Sequence, residues 1–159
     1  MVVRMNAWVL RAIVLGALVV FLRAVLGFAM VYWPTHGVWM RALCLIILVA
    51  AIVYWGFSDG RTDRAANPNP DYGTDLTLQW LKAAAAAGLG SGLAAWILDW
   101  LPKFDLGDNG LLFELTAGAA FIVLLVFIPA LIGVGVGRAL ADRRAEKHSA
   151  AESPVSTPA

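Results

Sequence analysis

The sequence predicts an all-α membrane protein that crosses the bilayer four times, and three observations support this fold class. Hydrophobic residues make up 60% of the 159 residues and charged residues only 14%, against about 45–50% and about 25% in soluble domains. Four apolar stretches are each long enough to span a hydrocarbon core, which needs about 20 helical residues. Aromatic and basic residues gather at the ends of these stretches. This composition excludes a disordered chain, a basic nucleic-acid binder and an ordinary soluble enzyme.

The predicted spans cover residues of about 8–31, 38–57, 76–101 and 111–137. Helices are expected because a helix satisfies its backbone hydrogen bonds within the span, and the alternation typical of barrel strands is absent. Residues 1–147 are therefore predicted to form one transmembrane domain of two antiparallel hairpins. Residues 148–159 are rich in serine, alanine and proline, and we expect a disordered cytoplasmic tail there.

The first apolar stretch could also be a cleavable signal peptide. Such a peptide needs an apolar core of about 7–15 residues followed by a small-x-small cleavage site. Arg11 and Arg23 interrupt the stretch, and Phe28–Val31 is a poor cleavage site. We therefore expect an uncleaved first span.

Aromatic residues mark the predicted boundaries, where indole and phenol rings prefer the headgroup zone. All seven tryptophans lie within a turn or two of a predicted span end. They are Trp8, Trp33, Trp39, Trp55, Trp80, Trp96 and Trp100. We expect them to form belts at the two membrane interfaces.

The distribution of Lys and Arg predicts that both termini are cytoplasmic. In this orientation the inner segments hold Arg4, Arg61, Arg64, Arg138, Arg143, Arg144 and Lys147. The outer loops hold only Lys103. A positive-inside bias of this kind predicts a multi-pass protein of the inner cell membrane, with the loop Ser58–Asp75 in the cytoplasm.

The connecting segments are predicted from their Pro and Gly residues. Trp33–Gly37 predicts a tight turn, and Asn67–Asp71, which holds two prolines, predicts extended backbone. Asp59 and Asp63 could suggest a cation site, but we interpret them as part of a solvated loop at headgroup level. Arg11 lies close enough to a span end to snorkel to the surface.

Two segments echo each other at the predicted inner boundary. Gly60–Ala65 follows the second span and Gly137–Ala145 follows the fourth, and both place Gly-Arg before Asp-Arg. This similarity is consistent with two similar helical hairpins in tandem. Positive-inside chemistry produces the same pattern without a repeat, so both interpretations stay open.

Ionisable groups inside a span are costly unless they are paired or hydrated, so each is a candidate for function. Helical spacing places Asp99 on the face of Gly88 and Gly92, directed toward the bundle. Glu114 opens the fourth span on the same side of the membrane, and Arg23 lies in the outer half of the first. We predict a proton- or cation-responsive site there, with Asp99 or Glu114 titrating and Arg23 tuning it. A static ion pair or interfacial anchoring is the alternative.

Two further patterns concern packing. Gly88-x-x-x-Gly92 and Gly133-x-x-x-Gly137 allow helices to approach closely, within the chain or between two copies. Pro129 lies inside the fourth span, where it removes one backbone hydrogen bond and predicts a kink.

No catalytic motif occurs in the sequence. Cys44 is the one cysteine, and the two histidines, His36 and His148, have no metal-ligand spacing around them. We predict no enzymatic activity, no catalytic residue, no metal and no cofactor. The net charge of +1 gives no signal for a nucleic-acid partner.

Several segments together carry a resemblance to a known family. They are Trp55–Arg61, Ala66–Asp71, Leu78–Leu81, Glu114–Thr116, Phe127–Ala130 and Gly137–Arg138. In these segments the chain resembles the four-helix drug/metabolite transporter-like (B-4DMT) family of small actinobacterial membrane proteins. The resemblance covers nearly the whole chain before the tail, and it implies a four-helix membrane transporter of unspecified substrate.

One departure from the related small multidrug exporters affects the mechanism. Those exporters use a membrane-embedded Glu in the first helix for proton/drug exchange, whereas the first span here holds Arg11 and Arg23 and no acid. Asp99 or Glu114 would have to take the acidic role.

The leading functional hypothesis is a small transporter that moves an unknown small molecule or ion across the lipid bilayer. Four helices enclose little volume, so a homo-oligomer is the expected form. The alternatives are a holin-like pore former and a non-transporting accessory or scaffold subunit of a membrane complex.

Overall fold

Helices make up nearly all of the described chain. The computed structural model describes residues 6–67, 69, 73–99, 112 and 114–152. Its four α-helices are α1 (Ala7–Tyr32), α2 (Gly37–Ala66), α3 (Leu76–Asp99) and α4 (Ala119–Glu152). A 3₁₀ turn at Pro34–His36 joins α1 to α2, and a π-helical turn at Glu114–Gly118 precedes α4. The described ranges contain no strand, and the prediction of an all-α fold is confirmed.

Three helical segments are long and apolar enough to cross a membrane: α1, α2 and Leu115–Lys147. The remaining helix of the described residues, α3, is the shortest of the four at 24 residues and is not one of these three segments. These three segments, found within the described residues, indicate a multi-pass membrane protein.

The outer surface of the bundle is apolar. Phe21, Val38, Ile46 and Tyr54 are all largely exposed, whereas a soluble domain buries most residues of this kind. The interior, by contrast, contains a buried arginine, Arg11. This distribution suits a surface that contacts lipid.

The helix ends follow from the two proline-containing connections. Trp33 is extended (φ −135°, ψ 66°) and ends α1, because the residue before a proline avoids the helical region. Asn67 is extended for the same reason (φ −130°, ψ 84°) and ends α2. The tight turn predicted at Trp33–Gly37 is present, but the loop predicted to begin at Ser58 begins only at Asn67.

At its far end, α4 continues to Glu152. The helix therefore includes the first five residues of the segment predicted to be a tail. Residues 153–159 and the predicted outer connection at 102–110 lie outside the described residues.

The helices form a ring in the order α1, α3, α4, α2 around one apolar core. The core residues are Leu15, Val19, Leu48, Ile52, Leu76, Trp80, Ala84, Ala87, Val126, Ala130 and Val134. Among the described residues α2 and α4 pack most extensively, and the side between α1 and α2 is the most loosely packed of the four.

A glycine seam joins α2 to α4. The backbone contacts pair Gly56 with Ala130, Gly60 with Val134, Gly133 with Val53 and Gly137 with Phe57. At each of the four glycines an added methyl group would overlap the carbonyl oxygen of the facing residue. Residue numbers rise together along the two helices, so α2 and α4 run parallel. The two segments that echo each other in the sequence therefore lie side by side.

Smaller residues also bring α3 against its neighbours. Gly16 of α1 lies against the backbone of Ala87, and Gly88 lies against Ala119 and Val123 of the fourth helix. Gly92 is buried on the same face of α3. Pro129 lies inside α4, which continues as one helix through it.

Candidate functional site at the charged end of the bundle

The residues predicted to carry function lie toward one end of the bundle. Arg23 is half-buried on α1. Asp99 is the last residue of α3, and Glu114 is the first residue of the π-helical turn. The side chains of Asp99 and Glu114 lie outside the described part of the chain, so their convergence with Arg23 stays a prediction.

The structure brings a different set of polar side chains together at the opposite end, where α1 begins and α2 ends. We call this the charged end. Its members come from all four helices and are Arg11, Asp59, Asp63, Arg64, Gln79, Trp80, Arg138 and Asp142.

The most deeply buried pair at the charged end joins α1 to α2. Nη2 of Arg11 lies 2.8 Å from Oδ2 of Asp59, and the two side chains are only 8% and 16% exposed. Nη1 of Arg11 donates a hydrogen bond of 2.8 Å to Oε1 of Gln79 on α3. The expectation that Arg11 snorkels to the surface is wrong, because these two partners hold its guanidinium inside the bundle.

Trp80 completes the surroundings of this pair. The guanidinium carbon of Arg11 lies 5.3 Å from the centre of the Trp80 ring, a cation–π distance. Trp80 is fully buried and packs edge-on against Trp55, with ring centres 6.3 Å apart. The expectation that Trp80 belongs to a headgroup belt is wrong, because its side chain is buried inside the bundle.

Two buried donors near this pair are not used within the described residues. Nε1 of Trp80 lies beside the Asp59 carboxylate, yet it forms no hydrogen bond of normal geometry. Nε of Arg11 is also buried without a hydrogen-bond acceptor. Asp59 therefore has a second donor close to it besides its arginine.

A second ion pair lies within the α2–α4 seam. Oδ2 of Asp63 accepts hydrogen bonds from Nη2 and Nε of Arg138, at 2.6 and 3.1 Å, and the Asp63 side chain is 6% exposed. Oδ1 of Asp63 accepts a hydrogen bond of 2.9 Å from the Thr74 backbone, whose carbonyl accepts another from Arg138. Asp63 thus holds the segment that leads into α3, at Thr74, as well as the seam between α2 and α4.

A third pair, Arg64 with Asp142, also joins α2 to α4. The closest N–O distance is 2.7 Å, but the Asp142 side chain is 44% exposed. The Asp63 and Arg64 pairs therefore both lie within the seam, whereas the Arg11–Asp59 pair bridges the loosely packed side. The interpretation of Asp59 and Asp63 as a solvated loop is wrong, because both belong to α2 and both are paired.

Asp63→Asn is expected to lower the free energy of unfolding by about 2 kcal/mol, because the neutral amide weakens hydrogen bonds that a buried carboxylate accepts. Asp142→Asn serves as the matched control and should cost less than about 1 kcal/mol, since its pair is half-exposed. Unfolding of the purified protein by SDS in mixed micelles measures both. Equal losses would contradict the different roles assigned to the two pairs.

The helical spacing of the buried residues in α1 and α2 is the sequence feature that indicates this site. The buried residues of α1 are Arg11, Leu15 and Val19, four residues apart. Those of α2 continue every three or four residues from Leu48 to Asp63. A charged residue that continues a buried stripe by one turn lies on the packed face of the helix, and both Arg11 and Asp63 do so.

The chemistry open to this arrangement is the opening and closing of ion pairs. Among the described residues, no group of three or more His, Cys, Asp or Glu side chains is placed to hold a metal ion. The Asp59 carboxylate can accept a proton or exchange Arg11 for another donor, since Nε1 of Trp80 is beside it.

Comparison with known proteins adds no family assignment. No family model matches the chain, and no curated protein matches it significantly. Function must therefore be inferred from the fold and the charged end.

Proposed function

We propose that the chain is a small membrane transporter in which the Arg11–Asp59 ion pair is the gate at the charged end. The observation that carries this proposal is the position of the pair. It is buried, and it bridges α1 and α2 on the most loosely packed side of the ring. A buried ion pair contributes little net stability compared with apolar packing, and ionisable residues within membrane proteins commonly mark ion or substrate pathways.

The gate works by exchanging the partners of Asp59. Protonation of Asp59, or its binding of a cationic substrate, removes the attraction that holds Arg11. The charged ends of α1 and α2 then separate, while the seam keeps α2 and α4 together through its glycines and its own two ion pairs. The substrate is a small molecule or ion.

Further parts of the proposal concern topology and assembly. At 24 residues, α3 is about 36 Å long at 1.5 Å per residue, which is enough for a fourth span. The charged end is cytoplasmic, as the positive-inside bias predicts, and both termini lie on that side.

The bundle core is filled by side chains, so transport uses a homo-oligomer. Membership of the four-helix drug/metabolite transporter-like family belongs to the same proposal.

Flux into liposomes containing the purified protein tests the transporter. A pH dye and a large polar dye are trapped together, and a panel of cationic and neutral substrates is added outside. We expect substrate-dependent proton movement with the large dye retained. Asp59→Asn should slow this movement by about tenfold or more, because an amide cannot exchange the proton. Asp142→Asn, the matched control, should leave the rate unchanged.

Other outcomes distinguish the competing assignments. Loss of flux in Asp99→Asn or Glu114→Gln, with Asp59→Asn active, would move the coupling site to the outer half of the bundle. Release of the large dye would support a holin-like pore. If neither the pH dye nor the large dye gave a signal, and the protein was shown to be folded and inserted, the transporter proposal would be contradicted.

A second candidate function is an accessory subunit, and one surface feature favours it. A shallow groove of about 620 Å³ runs between α1 and α3 on the outside of the bundle. Small residues on both helices line much of it, among them Ala12, Gly16, Ala17, Ala86, Gly90 and Ala94. Small residues allow another helix to approach closely in a membrane. Co-purification with a partner, lost in Gly90→Leu and accompanied by no flux, would support this function.

A further inference from the structure

A second groove lies on the exposed face of α2 at the charged end, and it borders the seam, where the backbones of Phe57 and Arg61 face Gly137. Its volume is about 360 Å³, and its lining residues are Tyr54, Phe57, Ser58, Arg61, Thr62 and Ala65. They recur at three- and four-residue spacing, so they form one face of the helix. Gly56, Gly60 and Asp63, by contrast, are buried residues of the same helix.

The charge of this groove is set by Arg61. Arg11, Arg64 and Arg138 each pair with an aspartate, whereas no ion pair joins Arg61 to an acidic side chain within the described residues. Arg61 is exposed, and its guanidinium carbon lies 5.5 Å from the centre of the Phe57 ring. Stacking on a ring leaves the N–H donors at the edge of the guanidinium free to bind an oxyanion.

Polar and apolar residues follow one another along the groove. Tyr54 and Phe57 are at its apolar end, and the hydroxyl groups of Ser58 and Thr62 lie beside Arg61. The Thr62 hydroxyl donates to the Ser58 carbonyl at 2.9 Å, which leaves the Ser58 hydroxyl as the second donor to a ligand. The groove thus offers aromatic rings on one side and two donor groups on the other.

The depth of Arg61 matches that of lipid phosphates. The apolar run of the second span ends at Phe57, and Arg61 follows one helical turn later, about 6 Å along the axis. This position lies just past the hydrocarbon core, in the headgroup region. Tyr54 and Phe57 then lie at the level of the upper acyl chains.

We propose that this groove binds the headgroup of an anionic glycerophospholipid. Arg61 and Ser58 hold the phosphate, and an acyl chain lies along Tyr54 and Phe57. The positive charge of Arg61 favours an anionic ligand, because the aspartates of the charged end are already paired with other arginines. Exposed Arg143, Arg144 and Lys147 at the same end attract anionic lipid in general but line no part of this groove.

Spin-labelled lipids in nanodiscs test the proposal with the full chain. The immobilised fraction of a phosphatidylglycerol probe is compared with that of a phosphatidylcholine probe. The wild-type protein should prefer the anionic probe, and Arg61→Gln should weaken this preference by about fivefold. Arg143→Gln, which removes the same charge outside the groove, should change it much less. Ser58→Ala should weaken it to an intermediate degree.

Three results would overturn the proposal. Equal effects of Arg61→Gln and Arg143→Gln would show general surface attraction only. Equal immobilisation of the two probes would show no headgroup selection. Displacement of the anionic probe by inorganic phosphate would show a site for free phosphate. Thermal unfolding of each variant checks the fold, and Arg61→Lys, which keeps the charge, should retain most of the preference.

Discussion

Arg11→Met is expected to lower the free energy of unfolding by about 3–5 kcal/mol, because it leaves the buried Asp59 carboxylate without its partner. Arg11 is 6% exposed and contacts Asp59, Gln79 and Trp80, so its loss removes an ion pair, a hydrogen bond and a cation–π contact together. Unfolding in SDS mixed micelles measures this loss.

The matched control is Arg41→Met on α2. Arg41 is exposed, and within the described residues its side chain donates only to the sulfur of Met30, at 3.6 Å. Its replacement should change the unfolding free energy by no more than about 0.5 kcal/mol. A similar small loss for Arg11→Met would mean that Arg11 is solvated and forms no buried pair with Asp59.

The double variant Gly60→Ala/Gly137→Ala is expected to have the other large effect. Each new methyl group would overlap a carbonyl oxygen of the facing helix, at Val134 and at Phe57. Overpacking of this kind costs about 1–3 kcal/mol at each site. The seam must open to admit the methyl groups, which also strains the ion pairs Asp63–Arg138 and Arg64–Asp142 that bridge it.

Glycines elsewhere in the same fold provide the control. Gly135 is on α4 and Gly90 is on α3, and a methyl group at either position meets no atom within 4 Å. Gly90→Ala/Gly135→Ala should therefore stabilise the helices slightly, since alanine is the better helix former. If this control lost as much unfolding free energy as the seam variant, the effect would come from glycine replacement within each helix. That result would contradict close packing of α2 on α4.

The elements of the fold could be predicted from local sequence. Apolar runs of membrane length indicate the helices, and the Pro-containing segments indicate where α1 and α2 end. Hydropathy predicts that the second span ends at Phe57, whereas the helix itself continues to Ala66. The apolar run ends where polar residues begin, whereas the helix continues until the residue before Pro68, which avoids the helical region.

The partners of individual residues could not be predicted in the same way. Spacing alone indicated that Gly133 and Gly137 allow close packing, but not that Gly56 and Gly60 of another helix would face them. The sequence predicts that Arg11 reaches the surface, because a charge near a span end can reach water. Its burial depends on Asp59 and Gln79, which only the tertiary arrangement brings to it.

The central claim is that Arg11 and Asp59 form a buried, interacting pair between α1 and α2. The measurement that tests it most directly is a double-mutant cycle with wild type, Arg11→Met, Asp59→Leu and the double variant, each unfolded in SDS mixed micelles. We expect the double variant to recover at least about 2 kcal/mol relative to the sum of the single losses, because it leaves no unpaired charge. Losses that add to within about 0.5 kcal/mol would contradict the pair, and with it the gate proposed at the charged end.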